Sequence, residues 1–153
     1  MTRPVKILLA IVAVVAIVIQ FVRPDRTSPP VDPSHSIEAV LNVPRDVKDT
    51  LVRSCYDCHS HQTRWPWYSR VAPVSWLIAN DVTEGREALN FSTWRGYPPD
   101  RASRKLDEIA DMVTRREMPM PIYTYVHRDA TLSDAQIKQL VEWARTAGQS
   151  IGR

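Results

Sequence analysis

The chain has 153 residues, among them twelve prolines, four glycines, five tryptophans and only two cysteines, and a net charge of +3. That length suits one domain with appendages, since single domains most often run to roughly 100–150 residues, and the apolar share suits a packed core rather than a disordered tail. Setting Arg3 and Lys6 aside leaves 18 basic residues against 17 acidic ones, dispersed among each other, which excludes the concentrated basic face that nucleic-acid binding needs.

Ile7 to Val22 is apolar at every position but Gln20, and Arg3 and Lys6 precede it, as in an exported or anchored chain. Sixteen helical residues span roughly 24 Å against a hydrocarbon core of ~30 Å, so a cleaved signal peptide is the alternative. Bulky residues up to Arg23-Pro24 leave no small-x-small cleavage site. Residues 1–22 are therefore read as a single-pass anchor in a bacterial inner membrane. Arg3 and Lys6 keep the amino terminus inside and leave the remainder facing the periplasm.

Arg23 to Pro33 holds four prolines with Asp, Ser and Thr, a composition that favours extended backbone. Residues 23–36 are read as a linker and 37–148 as the domain. Four helices are expected there, and no strand-period run competes with them. The first begins near Pro44 and sets Val47, Leu51, Cys55 and Cys58 along one face; the second begins near Pro73 with Val74, Leu77, Ile78 and Val82 on one stripe, fading around Gly85. The third runs from about Ser103 with Leu106, Ile109, Ala110 and Val113, and stops before Pro119. The fourth opens on a capping box of Ser133 and Gln136 with Leu132 and Ile137 as hydrophobic staple, and is expected to close at Gly148.

The string Cys55-Tyr56-Asp57-Cys58-His59 carries the chemistry. Two cysteines three apart on a helix project to the same side, so both thiols reach the two vinyl groups on one edge of a haem, and His59 is placed to ligate the iron. One covalently attached haem c per chain is the expected cofactor. The competing readings are a disulfide, which across so short a loop constrains little, a thiol-disulfide redox site, which normally accompanies a βαβ pattern, and zinc, which lacks a second ligand pair here.

A second axial ligand is sought among methionines, whose soft sulfur suits an electron carrier. Met112 falls beside the apolar stripe of the third helix and reads as core; Met118 and Met120 sit in the Pro-stiffened turn Glu117-Met118-Pro119-Met120-Pro121. His127, in the loop before the last helix, is the remaining candidate, whereas His35 lies near the proline-rich stretch Arg23 to Pro33 and His61 too close to the attachment site. Trp65, Trp67, Trp76 and Trp94 are candidates to pack around a flat porphyrin. Arg64, Arg70, Arg104 and Lys105 are candidates for its propionates.

The stretch Cys55-Tyr-Asp-Cys58-His59-Ser-x-x-Thr63-x-x-Pro66-Trp67-Tyr68-Ser69 resembles the small bacterial haem-binding-domain proteins. So do Pro73-Val74-Ser75-Trp76, Gly85-Arg86-Glu87, Leu89-Asn90-Phe91-Ser92, Glu117-Met118-Pro119 and His127 with Leu132-Ser133. The resemblance covers about residues 37 to 146. It implies an exported, N-terminally anchored c-type haem protein: an all-α, cytochrome c-like bundle of about four helices around one haem, preceded by one transmembrane helix. It carries over Cys55, Cys58, His59 and Met118 as cofactor-binding residues, His59 and Met118 being the iron ligands. The expected function is one-electron transfer with an unidentified redox partner protein and no catalytic residue. The alternative is a haem-based peroxidase or a gas or redox sensor with an open distal position.

Overall fold

The computed structural model describes residues 2–151, and among them the chain is all-α with no strand. A first helix, α1 (Arg3–Val18), continues through a 3₁₀ turn, Ile19–Phe21. The 19 residues Arg3–Phe21 are apolar enough to cross a membrane, and none of them is buried against the rest of the chain. At 1.5–2 Å per residue they reach roughly 30 Å, longer than the apolar run alone implied because Arg3 and Lys6 join the helix.

The domain holds seven further helices: α2 (Ile37–Val40), α3 (Arg45–Ser54), α4 (Tyr56–His59), α5 (Val74–Ala88), α6 (Pro99–Thr114), α7 (Pro121–Val126) and α8 (Asp134–Ile151). The four long ones are those expected from apolar spacing. Their core is one cluster in which Val47 and Leu51 of α3, Leu106, Ile109, Ala110 and Val113 of α6, and Leu140, Trp143 and Ala144 of α8 meet Tyr56, Phe91 and Trp94. Leu51, Leu106 and Ala144 are wholly buried. Each such side chain contributes on the order of 1.5–3 kcal/mol for a large apolar group, which outweighs the weak helix preference of any one turn.

Capping follows chemistry the sequence displays. The Ser133 backbone N–H donates to Gln136 Oε1 at 2.9 Å and the Gln136 N–H to Ser133 Oγ at 3.3 Å, the reciprocal pair of a capping box. The other end of α8 differs from expectation: Gly148 does not close the helix, which runs on to Ile151. It is a contact position instead, buried against α6, where Ser103 Oγ donates to its carbonyl at 3.1 Å.

The first expected helix also breaks. Cys55 leaves helical geometry (φ −129°, ψ −35°), so α3 stops at Ser54 and α4 starts in a new direction. Val47 and Leu51 stay in the core, while Cys55 and Cys58 lie half-buried at its edge. The apolar stripe of α5 likewise turns away from the core: Val82 is buried, but Val74 and Leu77 are exposed.

The segment read as a spacer is laid along the domain. Arg86 Nη1 donates to Thr27 O (3.1 Å) and Arg86 Nη2 to Ser28 Oγ (3.0 Å), and Arg95 Nε donates to Ser34 O (2.8 Å). Its prolines give an extended backbone whose carbonyls are free to accept from side chains.

Candidate functional site

Two neighbouring cavities share the walls Asp57, Cys58, Asp81, Met120 and Tyr123. The smaller, about 240 Å³, is lined by Cys55, Cys58, His59, Gly85, Met118 and Met120 among others. The larger, about 660 Å³, is walled by Val74, Leu77, Ile78 and Val82 of α5 and by Ile122, Tyr123 and Val126 of α7. The exposed stripe of α5 is thus a cavity wall.

His59 is fixed from one side. Its Nδ1 donates to the carbonyls of Gly85 (2.8 Å) and Leu89 (3.2 Å), which sets the tautomer and leaves Nε2 with its lone pair. Burial lowers its pKa, partly offset by these two carbonyls, so the ring is neutral and ligand-competent at neutral pH. Both acceptors lie at the end of α5, whose approach depends on one residue. A Cβ on Gly85 would stand 2.8 Å from the Cys58 carbonyl oxygen and 3.1 Å from Cys58 Cβ. Only glycine lets the helix come this close.

Cys55 and Cys58 are free thiols. Burial pushes Cys55 up to about 12 and Cys58 up to about 11, with the neighbouring cysteine and Asp57 adding to it respectively. Thiols so reluctant to ionise are the opposite of a thiol-disulfide redox pair, which needs a stabilised thiolate. Among the described residues no group of three or more His, Cys, Asp or Glu side chains is placed to hold a metal ion.

Asp57, between the cysteines, ties the motif to two other elements. Its Oδ1 accepts from the Arg64 backbone N–H (2.9 Å) and Nε (3.2 Å), and its Oδ2 accepts from the Tyr123 hydroxyl at 2.8 Å. Burial and this carboxylate raise the Tyr123 pKa, keeping it a donor. Arg86 performs the same service one turn on: its Nε donates to Ser60 O (2.9 Å) and its Nη2 to Thr63 Oγ1 (2.9 Å), closing the loop after His59.

Met118 reaches the smaller cavity because of how α6 ends. Arg116 takes a left-handed conformation (φ 57°), Glu117 N–H donates to Met112 O (3.0 Å) and Arg116 N–H to Val113 O (3.1 Å). This is a Schellman termination with arginine where glycine is usual. The turn then carries Met118 and Met120 to the cavity that Cys55, Cys58 and His59 line. His127 lies elsewhere. It lines only the larger cavity, where the Tyr68 hydroxyl is hydrogen-bonded to its Nε2 and the Tyr123 ring stacks on it at 4.4 Å.

Other candidates disperse. None of Trp65, Trp67, Trp76 and Trp94 lines either cavity. Trp94 is core, stacked on Phe91, and Trp67 is 77 % exposed. The walls are branched aliphatic and tyrosine side chains instead. Arg64 borders the larger cavity, Arg70 lines neither, and Arg104 and Lys105 pair with Asp100 and Glu108 on α6. His61 is engaged by Asn90 Nδ2 at 3.0 Å, and His35 is exposed. Sequence reasoning missed Asp57, Tyr123 and the role of Gly85. Asp57 and Gly85 stood within the quoted pattern, while nothing local distinguished Tyr123.

Residues 14–146 match the family model described as a haem-binding domain. The chain belongs to that family. No curated protein and no solved structure matches it. The protein therefore binds haem, and the residues present fit the group: two thiols, a histidine with one nitrogen satisfied, two methionine sulfurs and an apolar wall beside them. The buried hydroxyl of Ser54, in the same wall, is left without a partner by the polypeptide, which marks a place where protein groups alone do not complete the site.

Proposed function

We propose that this chain is a membrane-anchored c-type cytochrome-like protein that carries one electron at a time between partner proteins at the periplasmic face of a bacterial inner membrane. The observation that carries this reading is His59, held through Nδ1 by the carbonyls of Gly85 in α5 and Leu89 just after it, in the wall that Cys55, Cys58, Met118 and Met120 also line. Cys55 and Cys58 are the residues that would hold the group, each S–H adding across one vinyl group to leave two thioethers. The bound haem supplies a one-electron iron couple, which a His/Met pair sets to a raised potential.

The chain's own part is to keep both ligands still. The Gly85 and Leu89 carbonyls orient His59, and the Schellman turn with Pro119 and Pro121 holds Met118 and Met120 on stiff backbone. Met118 is the preferred distal ligand, since it occupies the Met-Pro position that the family resemblance carries over. His127 is committed to Tyr68 and Tyr123. Export and anchoring rest on α1, whose exposed apolar surface needs a lipid environment.

A second reading, an open iron position acting on peroxide or sensing a gas, has one observation in its favour: the larger cavity with Tyr68, Tyr123 and His127 in its wall. Absorption spectroscopy separates the two. A low-spin ferric spectrum with the weak long-wavelength band of sulfur ligation, lost in Met118→Leu and kept in Met120→Leu, is expected. A high-spin, five-coordinate spectrum of the unmodified protein would overturn the carrier.

A further inference from the structure

The end of the apolar helix is clipped to the domain. Gln20, the one polar residue in the run, accepts from the Ala72 N–H at 2.9 Å and donates through Nε2 to the Ala72 carbonyl at 3.2 Å. Trp76 Nε1 donates to Val22 O at 2.7 Å, and Arg26 Nη1 to Ser69 O at 3.2 Å. Residues 20–26 are thereby fixed against the turn that precedes α5.

Between these two segments lies a third cavity, of about 280 Å³, walled by Gln20, Arg23, Arg26, Ser69, Arg70 and Ser75 with a few neighbours. No carboxylate lines it. None of its three arginines forms an ion pair among the described residues. Asp25, in the same segment, has its carboxylate on the Thr27 N–H (2.8 Å) and hydroxyl (3.1 Å). Three guanidinium groups around one pocket repel one another unless an anion sits among them.

Position narrows the anion. Arg23 follows directly on Val22, the last residue of the apolar run, so with α1 across the bilayer the pocket stands at headgroup level. With the domain outside, Arg23 and Arg26 also lie on the side from which basic residues are normally depleted. The guanidinium fork matches two oxygens of one phosphate, the same charge pairing by which basic pockets between membrane helices take acidic headgroups on the cytoplasmic side.

We propose that the Arg23–Arg26–Arg70 pocket binds the phosphate of an anionic phospholipid in the leaflet from which the domain emerges. The lipid holds the haem domain at a set angle to the membrane. The proposal rests on reading α1 as an anchor, and the test separates the two.

Full-length, haem-loaded protein in mild detergent is incubated with phosphatidylglycerol or with phosphatidylcholine of the same chains, and retained lipid is counted by native mass spectrometry. One phosphatidylglycerol is expected, preferred about tenfold because the choline cation of phosphatidylcholine offsets its phosphate beside three arginines, with retention falling about fivefold in each of Arg23→Gln and Arg70→Gln. Neither residue makes a side-chain hydrogen bond within the described chain, so the variants keep the fold, which their unchanged haem spectrum checks. Arg104→Gln, on α6 away from the pocket, retains lipid as the unmodified protein does. Equal retention of both lipids, or unchanged retention in the two variants, overturns the site. Displacement of the lipid by millimolar-range inorganic phosphate, of order the weakest specific affinities, overturns the lipid as its source. Alkaline carbonate washing of cell membranes tests the anchor: release of the protein overturns anchor and lipid site together, whereas an integral protein without lipid preference overturns the site alone.

Discussion

In the half of the domain built by α3, α6 and α8, the apolar stripes face one another, and Leu51, Leu106 and Leu140 are all at most 1 % exposed. In the half built by α5 and α7, stripes of the same chemistry face outward: Leu77 is 65 % exposed and Ile122 69 %. Side-chain type does not distinguish the two halves. What differs is what the face borders, another helix in one case and an open cavity in the other, which the proposed reading fills with haem. Periodicity reports that a face is to be covered and is silent about by what.

Mutations on the two sides sharpen that contrast. Leu106→Ala removes a wholly buried side chain and should cost about 2–5 kcal/mol in denaturant unfolding, with or without haem. Gly85→Ala forces α5 away from Cys58. It should cost about 1–3 kcal/mol by overpacking and also shift the haem absorption bands, because the His59 acceptors move with the helix. Leu77→Ala should change the stability of the haem-free protein by no more than about 0.5 kcal/mol, yet lower the thermal midpoint of the loaded one. Gly148→Ala runs in the opposite direction: its Cβ meets nothing closer than 3.6 Å, and the helix gains up to about 1 kcal/mol of propensity. Equal losses at Leu106 and Leu77 in haem-free protein would erase the distinction between the halves.

The sequence showed the bundle half well because each signal there is local. The capping box at Ser133 and Gln136 and the stripe from Leu106 to Val113 need only neighbours three or four residues away. Three features resisted. The break at Cys55 is not announced by glycine or proline, and it redirects the motif that a continuous helix would have buried. The α6 terminus uses Arg116 where glycine is the usual signal, so only Pro119 marked the end. Gly148 looked like a stop and is a helix contact, since glycine serves both uses and only the partner helix decides.

At the site, Cys55, Cys58, His59 and Met118 were legible from motif and resemblance, and the structure sets all four around one cavity with Met120. Their supports were not legible. The carbonyls of Gly85 and Leu89 act through backbone, which side-chain patterns do not report, and Tyr123 meets Asp57 across 66 positions of sequence. The tryptophans were not resolved for a related reason: aromatic content identifies a large apolar surface and fits core or cofactor alike, and Trp94 packs on Phe91 and Tyr97 in the core.

Covalent attachment at Cys55 and Cys58 is the claim on which the electron-carrier reading depends, and the intact mass of the denatured full-length protein tests it most directly. The expected result is the polypeptide plus one haem, reduced to the bare polypeptide when both cysteines are replaced by alanine. A bare polypeptide mass for the unmodified protein, with all of its haem extracted by acidified organic solvent, would contradict it.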